Sequence, residues 1–191
     1  ESETSSDTNA ADDFEIEDGV LVKYHGTERD VLVVPDNVAT IGLRAFSTAY
    51  ARKIVLGENV KVIESEGFAG SGVHIVEMPY VTTIESEAFR NCGSLEKVEF
   101  GNELKTIDYN AFENCENLGG ELTIPESVTK IGDYAFCNTR IEKVTFLCTD
   151  ITYGVSIFSR NDSLKEMYIY GGTLPSRQTS APWSTESLEK V

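Results

Sequence analysis

Six phenylalanines set the strongest constraint on how this chain can fold. Phe46, Phe68, Phe89, Phe112, Phe136 and Phe158 follow one another at intervals of 22, 21, 23, 24 and 22 residues. Five of them close the same short string of an isoleucine, three residues, a small residue and the ring. These are IGLRAF (Ile41–Phe46), IESEGF (Ile63–Phe68), IESEAF (Ile84–Phe89), IDYNAF (Ile107–Phe112) and IGDYAF (Ile131–Phe136), with a degenerate sixth copy, YGVSIF (Tyr153–Phe158). A unit of about 22 residues cannot bury an apolar face by itself, so each copy must lean on the next.

A second motif keeps step with the first. Apolar–x–apolar segments occur as LVVP (Leu32–Pro35), IVLG (Ile54–Gly57), VEMP (Val76–Pro79), VEFG (Val98–Gly101), LTIP (Leu122–Pro125), VTFL (Val144–Leu147) and MYIY (Met167–Tyr170). Their middle residues advance by 22, 22, 22, 24, 22 and 23. Alternation with period two in a β-branched run predicts a half-buried strand, and a following Pro or Gly turns the chain.

The coil Leu95–Leu118 illustrates the expected unit. Leu95, Val98 and Phe100 are buried by a strand that points Lys97 and Glu99 outward. Leu104 faces in from the return, and Thr106-Ile107 forms a second short extended stretch. Asp108 or Asn110 is then expected to cap one helical turn carrying Ala111, Phe112 and Cys115. Ala or Gly before each Phe leaves room for close stacking of coils.

The string in LTIPESVTKIGDYAFCNTRIEKVTF (Leu122–Phe146) resembles the BspA-type leucine-rich repeat family of mostly bacterial cell-surface proteins, and the likeness covers roughly residues 30–170. It departs from the pattern where Gly replaces Pro after Leu56 and Phe100, where Tyr153 replaces Ile, and where Ser71-Gly72 shortens one turn. The resemblance implies an α/β, right-handed leucine-rich-repeat solenoid of six to seven coils, strand-rich with short helical turns. Adhesion to host extracellular-matrix proteins or to other cells is also what it implies.

The expected organisation has four parts: residues 1–13 an acidic disordered linker, 14–29 an N-terminal hairpin cap, 30–170 the solenoid and 171–191 a C-terminal cap. Asp18-Gly19 between Phe14–Ile16 and Val20–Tyr24 is a strong hairpin signal, and Trp183 and Leu188, with Ser184 as a helix cap, would cover the last coil.

The chain carries 32 acidic and 16 basic residues, a net charge of −16. Eight of the acids and no base fall within residues 1–18. This balance argues against nucleic acid, whose binding rests on basic side chains at phosphates. No apolar run reaches the length of a membrane span. An acidic opening segment with no initiator Met leads us to expect an exported, extracellular or cell-surface chain, lipid-anchored upstream of residue 1 and acting as a monomer.

Residues for chemistry are few. Cys92, Cys115 and Cys137 fall next to the phenylalanine register and read as buried, small apolar groups, with a disulfide between coils as the lesser alternative. Cys148 lies outside the register and is the thiol to test for reactivity. His25 and His74 stand apart from any nucleophile, and Glu85 and Glu87 read as solvated connecting residues. Asn161-Asp162-Ser163 is a formal glycosylation sequon. No catalytic, metal-binding or cofactor motif emerges, so the chain reads as non-enzymatic, with no cofactor.

The outward strand positions remain as the candidate site: Val31, Val33, Lys53, Val55, Ile75, Glu77, Lys97, Glu99 and, at the far end, Tyr168. Val31, Val33, Val55 and Ile75 make an apolar strip of the kind that marks interaction surfaces, although β-branched residues also favour strands for their own sake. The leading expectation is therefore a surface or secreted interaction module offering its sheet face to a protein or glycan. The alternative is a structural spacer or stalk segment of a larger surface protein, with no ligand of its own.

Overall fold

A computed structural model describes residues 11–170. After a 3-10 turn at Ala11–Asp13, an antiparallel hairpin joins β1 (Phe14–Glu17) to β2 (Val20–Tyr24). Asp18 and Gly19 at its tip have φ of 48° and 80°, the doubly positive turn that matches strand twist.

From there the chain winds through repeated coils, each offering two strands. The longer strands are β3 (Arg29–Val33), β5 (Ala51–Val55), β7 (Ile75–Met78), β9 (Lys97–Phe100), β11 (Gly119–Ile124), β13 (Arg140–Phe146) and β15 (Glu166–Ile169). The two-residue strands are β4 (Thr40–Ile41), β6 (Val62–Ile63), β8 (Thr83–Ile84), β10 (Thr106–Ile107), β12 (Lys130–Ile131) and β14 (Thr152–Tyr153). Pairing between successive coils is parallel and in register, with Ile41, Ile63, Ile84, Ile107, Ile131 and Tyr153 forming one row. Together with the hairpin, the short strands make an eight-stranded sheet.

The expected helical turns at the phenylalanines do not form. Two residues before each ring, Arg44, Glu66, Glu87, Asn110, Tyr134 and Ser156 have φ between 52° and 61°. Two residues after it, Gly70, Asn91, Asn114, Asn138 and Arg160 are left-handed as well. A right-handed helix cannot pass through such positions, so this side is a ladder of turns. The ring residues from Phe46 to Phe136 instead donate their N–H to the next coil, as Phe68 does to Ala88 O at 2.8 Å, Phe89 to Ala111 O at 2.7 Å and Phe112 to Ala135 O at 2.7 Å. Asp108 and Asn110 therefore cap nothing: Asp108 Oδ1 accepts the Tyr109 N–H at 2.9 Å, and Asn110 is one of the left-handed residues. The fold is a strand-rich β-solenoid of about seven turns with almost no helix.

The core is a set of columns. Phe46, Phe68, Phe89, Phe112, Phe136 and Phe158 are wholly buried, with successive ring centroids 4.7, 4.6, 4.8, 5.1 and 5.5 Å apart. That is the spacing of hydrogen-bonded strands, so the backbone repeat itself sets the stack. Tyr24 continues the column into the hairpin, 5.6 Å from Phe46, and Phe14 lies 5.3 Å beyond it. Space before the ring is tight at Gly67, where a Cβ would stand 3.1 Å from Glu64 O and from Ile63 Cγ2, whereas the last coil admits a buried Ile157 at the same position.

One feature breaks the regularity. The longer strands form two sheets, β3-β5-β7-β9 and β11-β13-β15, with no ladder between β9 and β11. The coil between them is two residues longer than most, and the excess falls at Gly119-Gly120. Gly120 sits at φ 68° and the β11–β13 register shifts there, as in a bulge. Phe100, expected to be buried, is only half-buried beside this gap.

Candidate partner-binding face

The strand register decides which candidate residues meet. Val31, Lys53, Ile75 and Lys97 lie opposite one another in one outward row, and Val33, Val55, Glu77 and Glu99 form the second. Leu32, Ile54 and Val76, between the rows, are fully buried. The second sheet continues the pattern with Glu121, Lys143 and Glu166 in one row and Thr123, Thr145 and Tyr168 in the other. Tyr168 thus belongs to a separate sheet from the other eight candidates. Sequence reasoning missed that break, although the 24-residue interval and the Gly-Gly pair signalled it.

Exposure and charge grade along the face. Val31 and Val33 are 39% and 49% exposed, whereas Val55 and Ile75 are half-buried. Beyond them the charges pair off. Lys53 meets Glu77 across the strands, Lys97 meets Glu99 on the same strand, and Lys143 lies 3.1 Å from Glu121. Their carboxylate partners push Lys97 and Lys143 up from the usual lysine range, keeping both charged in neutral solution. Tyr168 donates its hydroxyl to Glu166 at 2.9 Å, and Lys143 Nζ stands 5.5 Å from its ring centroid. Hydrogen bonding to the Glu166 carboxylate raises the Tyr168 phenol.

The nucleophile candidates are withdrawn from solvent. Cys92 and Cys115 are fully buried, donating Sγ–H to Phe68 O and Phe89 O at 3.0 Å each. Cys137 belongs to another column and accepts from Ser159 Oγ at 3.1 Å. Cys148 is buried too, and burial raises its thiol above the ordinary value, so it is not the accessible, thiolate-forming group that reactivity requires. All four thiols are free. His25 and His74 each face a carboxylate, Glu15 at 2.8 Å and Glu96 at 3.1 Å. Glu85 is less free than expected, accepting the Ser65 N–H at 3.1 Å, and Glu87 binds Arg90 at 2.8 Å. The sequon asparagine, Asn161, is wholly buried next to Thr139, which places its amide out of reach of glycosylation in the folded chain. Among the described residues no group of three or more His, Cys, Asp or Glu is placed to hold a metal ion, and no helix is long and apolar enough to cross a membrane.

Stacked coils, parallel in-register strands and an inward aromatic column define a leucine-rich-repeat solenoid. The family model for the BspA type leucine rich repeat region matches six copies over residues 24–118 and 82–191, and the chain belongs to that family. Among solved structures, a leucine rich repeat protein of T. pallidum is similar at 24% identity, with a TM-score of 0.72 over 84% of this chain and 81% of that one. A leucine rich cell surface protein from Faecalibacterium prausnitzii is also similar at 24% identity, with a TM-score of 0.56; 80% of this chain aligns with 35% of that one. The comparison with curated proteins returned no match. Repeat proteins of this family are typically protein-interaction or surface modules and are generally non-enzymatic.

Proposed function

We propose that this chain is a non-catalytic, extracellular interaction module of the adhesion type, which presents the β3–β9 sheet face to a protein partner such as a host extracellular-matrix protein. The observation that carries the reading is the pair of exposed valines, Val31 and Val33, beside half-buried Val55 and Ile75. Val31, Val33 and Val55 adjoin one another, Lys53 stands between Val31 and Ile75 in the register and pairs with Glu77, and the Lys97–Glu99 pair lies at the far edge. Exposed apolar side chains interleaved with charged pairs are the usual makings of a protein interface. The structural relative described as a cell surface protein supports the location. In this reading the acidic N-terminal residues space the repeats from a lipid anchor.

Immobilised fibronectin, laminin and collagen provide the test, with Val33→Asp as the principal variant and Tyr168→Ala as a probe of the second sheet. Val33→Asp is expected to weaken binding by about tenfold, the effect of a charge placed in a desolvated contact, without lowering thermal stability. Binding indifferent to Val33→Asp removes this face from the proposal. The spacer reading is favoured by the mutual neutralisation of Lys and Glu along the face, which leaves little to attract a partner. It predicts that none of the three proteins is bound.

A further inference from the structure

A recess lies beside the candidate face, at the corner where the phenylalanine side of the coils turns into the strands. It is a groove of about 600 Å³ running from Glu28 and Arg29 across Tyr50, Arg52 and His74 to Glu96, within the range of roughly 300–1,000 Å³ typical of small-molecule sites.

Corner length explains why it is there. Seven residues separate Phe46 from Lys53 and Phe68 from Ile75, but eight separate Phe89 from Lys97 and nine Phe112 from Glu121. The short corners leave a notch, and the longer one walls it with Glu96. The corner at Ser71-Gly72 is as long as the one after Phe46, so the 21-residue interval is shortened elsewhere, between Ile75 and Phe89. Gly72 nevertheless has a specific consequence, since a Cβ on it would lie 2.4 Å from Tyr50 Cδ1 and 2.5 Å from Cε1. Glycine at 72 is what lets the Tyr50 ring lie down across the neighbouring coil. The ring is nevertheless 63% exposed, so a flat aromatic surface faces the groove.

Around that ring, hydrogen-bonding groups of both kinds alternate coil by coil. Asp30 and Arg52 are the second residues of β3 and β5, and His74 and Glu96 stand immediately before β7 and β9. His74 and Glu96 bond each other at 3.1 Å, while no ion pair holds Arg52 among the described residues. Glu28 adds an acceptor at the near end, where the Arg29 guanidinium is held by Asp13 at 2.7 Å. We infer that this groove is a saccharide-binding subsite that stacks a neutral hexose on Tyr50 and holds its hydroxyls through Arg52, Asp30 and the His74–Glu96 pair. A hexose matches such a site: one apolar ring face for the aromatic surface, and several hydroxyls that both donate and accept. Three carboxylates against two guanidinium groups, on a chain of net charge −16, disfavour a sialylated or sulfated sugar. A peptide would ask for more apolar lining than Tyr50, Ala51 and Ile75 provide.

The groove shares Ile75 with the valine face but takes a different ligand, and the test keeps the two apart. The folded chain is titrated with galactose- and mannose-terminated oligosaccharides, with sialylated and sulfated ones, and with an acidic peptide, and binding is followed by NMR. For a single shallow hexose site the expected Kd is about a millimolar. Tyr50→Ala should weaken binding by about tenfold, Tyr50→Phe should preserve it, and Gly72→Ala should weaken it by dislodging the ring. Val33→Asp should have no effect on sugar binding. Unchanged melting temperatures confirm that the exposed-site variants remain folded. The proposal is overturned if no neutral oligosaccharide binds, if only acidic sugars or the peptide bind, or if neutral-sugar binding survives Tyr50→Ala.

Discussion

Replacing Phe89 by Ala tests whether the coils stabilise one another as nearest neighbours. Phe89 is wholly buried, with Phe68 at 4.6 Å on one side and Phe112 at 4.8 Å on the other. Truncating a buried Phe costs about 3–5 kcal/mol in transfer and cavity terms. Each ring pair adds about 0.5–1.5 kcal/mol beyond area burial, so the loss should fall in the upper part of that range. The decisive measurement is a pair of double-mutant cycles with Phe→Leu, read by urea unfolding with two spectroscopic probes. Phe89 and Phe112 touch, so their coupling should be about 0.5–1.5 kcal/mol. Phe68 and Phe112 are separated by Phe89, so their changes should add to within about 0.5 kcal/mol. Equal coupling in both cycles, or a cost for Phe89→Ala below about 1.5 kcal/mol, would refute the picture of a one-dimensional stack.

Two further predictions concern the repeat's exceptions. A Cβ on Gly132 would lie 2.5 Å from Tyr109 N and 2.7 Å from Asp108 C, backbone that cannot move aside, whereas nothing lies within 4 Å of one on Gly93. Gly132→Ala should cost about 2 kcal/mol or more and lower Tm by about 5 °C, while Gly93→Ala should stay within about 0.5 kcal/mol; equal melting curves would contradict the assigned contacts. Tyr153, standing where other coils carry Ile, has its phenol pushed up from 10.0 to about 12 by burial, with Cys148 adding to the shift. The folded state holds this proton more tightly than the unfolded chain, so its contribution to stability is complete below pH 10 and is lost as pH rises through about 12. Tyr153→Ile should remove that part of the alkaline destabilisation, and an unchanged stability difference between the two proteins across this window would count against the burial of the phenol.

The period was legible because it is written in residue types. Ile, Ala or Gly, and Phe recur at intervals that no single-layer arrangement other than stacked coils can satisfy, and the alternating triplets correctly place Leu32, Ile54 and Val76 inside. The turn beside each Phe was not legible, because Arg44, Glu66, Glu87 and Tyr134 have no intrinsic taste for the left-handed conformation they adopt. Hydrogen bonds from the ring residues to the next coil over-determine those backbones, and such bonds exist only once the coils are stacked.

The candidate site divides in the same way. Alternation alone identified which residues leave the core, since side-chain direction in a strand is a local property. Whether outward residues form one surface depends on pairing between coils, and there two glycines at 119 and 120 outweigh the pattern by parting β9 from β11. The same holds for the thiols: the sequence gives Cys148 no register, yet tertiary packing buries it. Local residue chemistry thus determined the repeat, its strands and its aromatic column. Tertiary structure decided the turn conformation, through hydrogen bonds between coils, and the division of the sheet and the notch at Tyr50, through differences in length between neighbouring coils, because both acquire meaning only when the coils lie against one another.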